Sequence, residues 1–313
     1  MEAYITHEGS LPSGYGLDFE PALFNTTAFA ELQKSADVIS FYLLHQGKKK
    51  AIACIHFHIS EHVARSPFKA PFGSIECSKK INPNRLYTFL ECVEVQLKQK
   101  GVHAVYIKNP PRAYSPEKFS LVETFFLNHK YEITDAEVST VIPVTGEPFT
   151  GLIRNSEKLR MRQAQKAAFT FQNLPVEKLD DVYGFISRCH HEKGYQVSIT
   201  QGELQRTANE FPEQYLLFVI LQSSNIVAAS IAIRVRKTTL YNFIANHEKQ
   251  FNQLSPPVIL MEGMYEYCRQ NKITLFDLGT SALHGKPNFP LLDFKLHIGG
   301  LPTSKLSFYK KLS

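Results

Sequence analysis

Residues 276–288 read Phe-Asp-Leu-Gly-Thr-Ser-Ala-Leu-His-Gly-Lys-Pro-Asn and directly follow an apolar run. Two glycines, two hydroxyls, a carboxylate and a lysine at a strand end could cradle a phosphate. A P-loop needs four residues between its glycines and a hydroxyl residue after its lysine. Here five residues separate Gly279 from Gly285, and Pro287 follows Lys286. The extra residue alters the amide cradle, and the missing hydroxyl removes the magnesium ligand. No G-x-G-x-x-G follows a strand either, so a Rossmann-type nucleotide site has no support.

Other candidates are single residues. Asp277 closes its strand, where ligands bind in α/β folds; it can deprotonate an incoming amine or cap the next loop. His247 can be a general base near neutral pH, or an incidental loop histidine. His56 and His58 share a strand face with His62 nearby, but no carboxylate or thiolate set completes a metal site, and none is expected. The run Arg188-Cys-His-His-Glu-Lys-Gly194 reads as a helix end, with basic side chains on the negative pole and glycine in the left-handed cap.

The elements that must position these residues come in two similar sets. Residues 41–57 and 217–233 each read as strand, polar turn, strand, and they align without gaps at an offset of 176. Gln46 matches Gln222, Ala53 matches Ala229 and Ile55 matches Ile231. A helix with Leu86, Phe89, Leu90, Val93 and Leu97 on one stripe follows in the first half, ending at Gly101. In the second half, Ser255-Pro256-Pro257 reads as an N-cap with prolines opening a helix. Its stripe is Ile259, Leu260, Met264, Tyr267 and Cys268. Each half then continues with a strand, a helix and end strands. The order predicts an α/β (mixed α+β) chain of two domains, residues 1–150 and 151–313, each a mixed twisted sheet flanked by helices. Between the hairpins, residues 153–169 predict a helix with Lys158, Arg162 and Lys166 on one face and Met161, Ala164 and Ala168 on another. The basic face is either a solvated link or a surface for phosphates.

Composition limits the classes. The chain has 313 residues, 43% hydrophobic and 20% charged, which is ordinary globular composition. A net charge of +6 permits an anionic partner without demanding one. The five cysteines form no C-x-x-C pair, so reduced thiols in a cytoplasmic protein are expected. The first residues do not read as a signal peptide, and no apolar run reaches membrane-spanning length.

Taken whole, residues 276–300 resemble the C-terminal signature of FemABX-like proteins, the tandem branch of the GNAT N-acyltransferases. The matching parts are Phe276-Asp277-Leu278-Gly279, then Phe294-Lys295, then Gly299-Gly300. The basic segment Lys158–Ala168 and the Leu254-Ser255-Pro256 start of the last long helix resemble family segments too. The resemblance implies two tandem GNAT-like domains and a bacterial N-acyl or aminoacyl transferase acting in cell-envelope chemistry. It implies an aminoacyl-tRNA or acyl-CoA donor and an amine-bearing small molecule or peptide as acceptor. DNA is not an implied partner; the oligomeric state stays open.

In that reading Lys295 lies near the acyl end of the donor, where a cation stabilises the oxyanion or the leaving oxygen. Phe294 packs in the core and can touch the donor. Tyr241, Asn242, Ser255, Ser281 and Lys286 fall on the donor side. Arg65 and Lys69, with Lys158, Arg162 and Lys166, are the acceptor or phosphate candidates. The alternative for Arg65 and Lys69 is a proline-rich turn with two solvated charges. GNAT enzymes grip acyl-CoA pyrophosphate with amides at a helix N-terminus, but Pro256 and Pro257 have no N–H. That argues for the tRNA-borne donor. An acyl-CoA N-acetyltransferase and a non-catalytic binding protein of the same fold are the alternatives.

Overall fold

The two aligned stretches fold as hairpins with the same pairing. In the computed structural model, which describes residues 4–33, 37–283 and 285–312, Phe41 faces Ile55 and Leu43 faces Ala53. Their counterparts Leu217 and Val219 face Ile231 and Ala229. Each hairpin has an irregularity near its turn, at Leu43/Leu44 and at Ile220/Leu221.

In chain order the elements begin with β1 (Tyr4–Glu8), β2 (Gly16–Leu17), α1 (Thr27–Leu32), β3 (Asp37–His45), β4 (Lys50–Ser60), β5 (Val63–Ser66), β6 (Glu76–Cys77), α2 (Pro83–Gln99), β7 (Ala104–Lys108) and α3 (Pro116–Asn128). Next come β8 (Glu132–Pro143), α4 (Phe149–Leu152), α5 (Asn155–Gln165), β9 (Thr170–Leu174), α6 (Leu179–His191), α7 (Gln201–Glu210), β10 (Tyr215–Gln222), β11 (Asn225–Arg236) and β12 (Thr239–His247). The chain closes with α8 (Pro256–Gln270), β13 (Leu275–Thr280), β14 (Ala282–Leu283), β15 (Lys286–Pro287), α9 (Phe289–His297) and β16 (Leu301–Lys311). Among these, no helix is long and apolar enough to cross a membrane.

Two units result: Met1–Glu137 with Thr303–Ser313, and Val138–Pro302. This differs from the expected split into 1–150 and 151–313. The end of β8, from Val138, falls in unit 2, and β16, from Thr303, falls in unit 1. In unit 1, β16 pairs antiparallel with β7. In unit 2, Ser139–Pro143 of β8 pairs antiparallel with β13. Strand partners are chosen by sheet edges far apart in sequence, so a local pattern cannot assign them.

Unit 1 is a mixed sheet in the order β1-β3-β4-β5-β7-β16, with β2 and β6 against β4. Asn82 caps α2 by accepting from Arg85 N, Pro83 opens the helix, and all five expected stripe residues are buried. Gly101 takes φ +75° just past the helix, as expected of a terminating glycine. Unit 2 has the order β9-β10-β11-β12-β13-β8. Its core joins Leu260, Met264 and Cys268 of α8 to Phe218, Leu240, Phe276 and Ile298, with Ile259 and Tyr267 packed at the edge. Both cores form because one apolar face of each sheet meets an apolar helix stripe.

Candidate active site

The sheet of unit 2 opens between β12 and β13. The two strands pair in parallel only at Thr239–Leu275, Leu240–Phe276 and Tyr241–Asp277. Beyond that, β12 runs on to His247 along β11 while β13 turns toward β8. Ile231 faces Ile244 and Ala232 faces Asn242, so Phe243 is a bulged residue without a partner on β11. In unit 1 the corresponding strand β5 stops at Ser66. There the chain turns back, Gly73 N donates to Lys108 O, and β6 pairs with Ala53 and Cys54. The opening therefore belongs to unit 2.

Lys295 comes from the last turn of α9 and ends beside this opening. It is 6% exposed. Its Nζ donates to Gly279 O and Thr280 O, each at 2.8 Å. Burial pushes its pKa down to about 8, and the nearby Asp277 charge opposes that fall. A lysine on a nine-residue helix would ordinarily be solvated; this one is turned inward onto two carbonyls.

Asp277 makes those carbonyls available. Its Oδ1 accepts from Gly279 N at 2.7 Å and from Ser139 Oγ at 3.3 Å. The first bond shapes the turn after Asp277 in the manner of an Asx-turn. Gly279 sits there at φ +78°, where a Cβ would lie 3.4 Å from the Tyr241 ring and 4.0 Å from Lys295 Nζ. Ser139 is a contributor the sequence did not disclose, because nothing local links β8 to this strand. If the carboxylate only shapes the turn, Asp277→Asn should keep the Gly279 contact and most of the transfer rate. Losing the negative charge should drop the Lys295 pKa further, so the alkaline limb of a pH–rate profile should move to lower pH. Loss of an acid limb instead would indicate a base role.

The remaining candidates spread along the opening. Asn242 accepts from the buried Ser230 hydroxyl at 2.6 Å, which fixes its amide. Tyr241 lies against Phe243 with ring centroids 5.9 Å apart. Ser281 is fully buried, its N donates to Val138 O, and its Oγ has no hydrogen-bond partner among the described residues. Lys286 is exposed on β15. Phe294 is half-buried and packs on the core, as expected. His247 closes β12, with Nε2 2.8 Å from Asn252 Oδ1. Burial first, then the Lys193 charge, lowers its pKa. A cleft of about 300 Å³ elsewhere in unit 2, bordered by Glu177, Asp180 and Gln205, contains none of these residues.

Ser255 corrects an expectation. It precedes α8 but lies at φ 48°, and its side chain caps no amide. The first two helical positions are prolines, and the next amide, Val258 N, already bonds Ser255 O. This helix end presents no free N–H in its first three residues.

α5 is shorter than the expected helix. Ala168, placed on its apolar face, lies at φ 52° outside it and is exposed, because the chain turns there into β9. Met161 and Ala164 are buried as expected. Its one acidic side chain, Glu157, is fully buried and pairs with Arg160 at 2.9 Å. Lys158, Arg162 and Lys166 have no side-chain partner among the described residues. In unit 1, Arg65 donates to Ser60 Oγ at 3.2 Å, and Lys69 is exposed on a loop tied to Gln33. His56 and His58 are spent on Ser40 and Ala30 O. The helix end at 188–194 is as expected, with Gly194 at φ +78°. All five cysteines are free thiols.

Residues 154–291, which span most of unit 2, match the family model of the acetyltransferase (GNAT) domain. Among solved structures, FemX is similar over 94% of this chain and 94% of its own, with TM-score 0.70 and 11% identity. The chain has a FemX-like tandem GNAT fold. A tandem GNAT protein from the clavulanic acid biosynthesis pathway is similar over 90% of this chain and 84% of its own, with TM-score 0.53 and 8% identity. L-PGS from Bacillus licheniformis covers 83% of this chain and 81% of its own, with TM-score 0.53 and 14% identity. No curated protein matches the sequence. The repeated hairpin register accords with a GNAT fold built twice, and the β12–β13 opening lies in the second copy.

Proposed function

We propose that this tandem GNAT chain transfers an acyl or aminoacyl group to an amine at the β12–β13 opening of unit 2. The observation that carries the reading is the buried Lys295 ammonium held at the mouth of that opening. Attack of an amine on an acyl carbon creates an oxyanion, and a preorganised, poorly solvated cation stabilises it. An ammonium has three N–H donors, and Gly279 O and Thr280 O take two. The third is the one assigned to the acyl oxygen. Asp277, closed off by Gly279 N and Ser139, is assigned to shaping the turn. The amine proton passes, directly or through water, to the leaving atom of the donor; His247, five residues further along β12 than Asn242, lies about 16 Å along the strand, too far to take it from an amine at Lys295.

For the donor, an aminoacyl-tRNA fits better than acyl-CoA. The α8 N-terminus lacks the free amides that hold a pyrophosphate. Lys158 and Arg162 on α5, which packs against α8, and Lys166 at its C-terminal cap, unpaired among the described residues, offer cations to an RNA backbone instead. The acceptor is assigned as an amine of a cell-envelope precursor or peptide, in a bacterial cytoplasm. Arg65 and Lys69 of unit 1 remain candidates for a phosphate on the surface of that unit.

Thermal shift tests the donor assignment. A ligand at 100 times its Kd adds about 2.7 kcal/mol. Charged tRNA should raise Tm, and CoA and acetyl-CoA should not. Replacing Lys158, Arg162 and Lys166 with glutamine should flatten the salt dependence of tRNA affinity by about two units of slope. A shift with CoA would make the acyl-CoA alternative the better reading; silence with both would favour a non-catalytic protein.

A further inference from the structure

A second group of cations stands on the β12 arm of the same unit, and the chemistry assigned to Lys295 does not use it. Lys193 follows the end of α6, in the cap closed by Tyr195 N donating to His190 O. Its Nζ donates to Asn246 Oδ1 at 2.5 Å and to His247 O at 3.1 Å. Asn246 and His247 are the last two residues of β12, beyond the point where β13 has parted from it. Lys249, on the next turn, donates to Glu192 O.

Both ammonium groups therefore bond only carbonyl oxygens. Neither forms an ion pair among the described residues. The two acids that flank them in sequence are committed elsewhere: Glu248 pairs with Arg188 at 2.9 Å, and Glu192 approaches the same guanidinium at 3.9 Å. Lys193 is half-buried, so its charge is partly desolvated; the Glu192 charge reaches it only at a distance, without a direct ion pair, and Lys249 adds a like charge. Its Asn246 partner is held in place, because the same Oδ1 also accepts from His247 N at 2.8 Å. A fixed, half-desolvated cation with one N–H to spare is built to receive an anion.

We infer that Lys193, supported by Lys249, binds an anionic group on the acceptor, so that the preferred acceptor is an amine that also carries a carboxylate or a phosphate. The inference rests on the acyl-transfer reading for the word acceptor, but the anion site itself does not depend on turnover. In its geometry the acceptor's charge sits on the β12 arm, beside His247, while the acyl group sits on the β13 arm beside Lys295. In the sequence Lys193 reads only as a helix-terminal charge, because its partner Asn246 lies 53 positions away.

The test is an NMR titration of the full chain, following the Asn246 side-chain amide and the amides of residues 245–247. Two probe pairs are used: β-alanine against β-alaninamide, and phosphoethanolamine against ethanolamine. An anionic member should move these resonances and its neutral partner should not. Comparison of the two pairs says which anion the site takes. Lys193→Gln keeps a donor for Asn246 and should weaken the anionic probe roughly tenfold or more, as expected for losing a charge-assisted bond. Lys249→Gln, on an exposed side chain, should weaken it less and keep the wild-type Tm. Equal shifts from charged and neutral probes, no shift from any probe, or wild-type affinity in Lys193→Gln each overturn the inference. Binding without acyl transfer leaves the anion site standing and removes the transferase reading. Transfer without charge discrimination does the reverse.

Discussion

Replacing Lys295 with methionine is expected to lower acyl transfer by at least the hundredfold to thousandfold typical of losing one oxyanion stabiliser. Methionine keeps most of the volume at a position 6% exposed, so the fold should survive. Gly279 O and Thr280 O lose a donor, while a buried charge is removed, and these effects oppose one another. The pH dependence separates this role from a structural one. The folded pKa of about 8 is below the ordinary value of 10.5. Below pH 8 both folded and unfolded chains hold the proton, and the cost of burying it is fully present. Between pH 8 and 10.5 the unfolded chain binds a proton that the folded chain does not, so stability rises with pH across that window. Wild type should gain up to roughly 3 kcal/mol relative to Lys295→Met between those limits. Over the same range the transfer rate should fall, because the stabilising ammonium is being lost. Urea unfolding of both proteins at pH 7.5 and pH 10, compared with the rate profile, checks the two opposite trends.

Gly300→Ala should have the second-largest effect. A Cβ at Gly300 would lie 2.3 Å from Thr140 Cγ2 and 2.5 Å from Lys295 O. Neither neighbour can swing aside freely: Thr140 is in β8, and Lys295 O accepts from Gly300 N in the turn that ends α9. The substitution forces the end of α9 away from β8, at a cost of about 3 kcal/mol. It also moves the backbone of Lys295, so residual transfer in the folded fraction should be low. The unfolding midpoint in urea and the rate per folded molecule measure these separately. A wild-type midpoint would mean that the helix end is not packed as described.

The sequence carried the fold well where the signal was local. The alignment predicts two equivalent hairpins, and their observed pairings correspond, Phe41–Ile55 in the first and Leu217–Ile231 in the second. The stripe of α2 and the left-handed Gly101 were legible for the same reason: one helix face and one φ constraint decide them. The division between units was not, because β8 and β16 choose their partners by edges that no local pattern encodes. The candidate site shows the same limit. Lys295 and Asp277 could be named, but not that one faces inward onto carbonyls and the other holds the turn that supplies them. Ser255 misled because a serine before two prolines looks like a cap; the amides it would serve are missing, and it turns left-handed instead. Lys193 and Ser139 matter through partners distant in sequence, and no spacing rule reaches them.

The most direct test of the transferase reading is a single-turnover assay with a pool of radiolabelled aminoacyl-tRNAs and a mixture of amine acceptors, using wild type and Lys295→Met. Wild type should move label from tRNA to an amine, Lys295→Met should not, and both should bind the tRNA alike. Equal transfer by the two proteins, or transfer by wild type from acyl-CoA alone, would contradict the account.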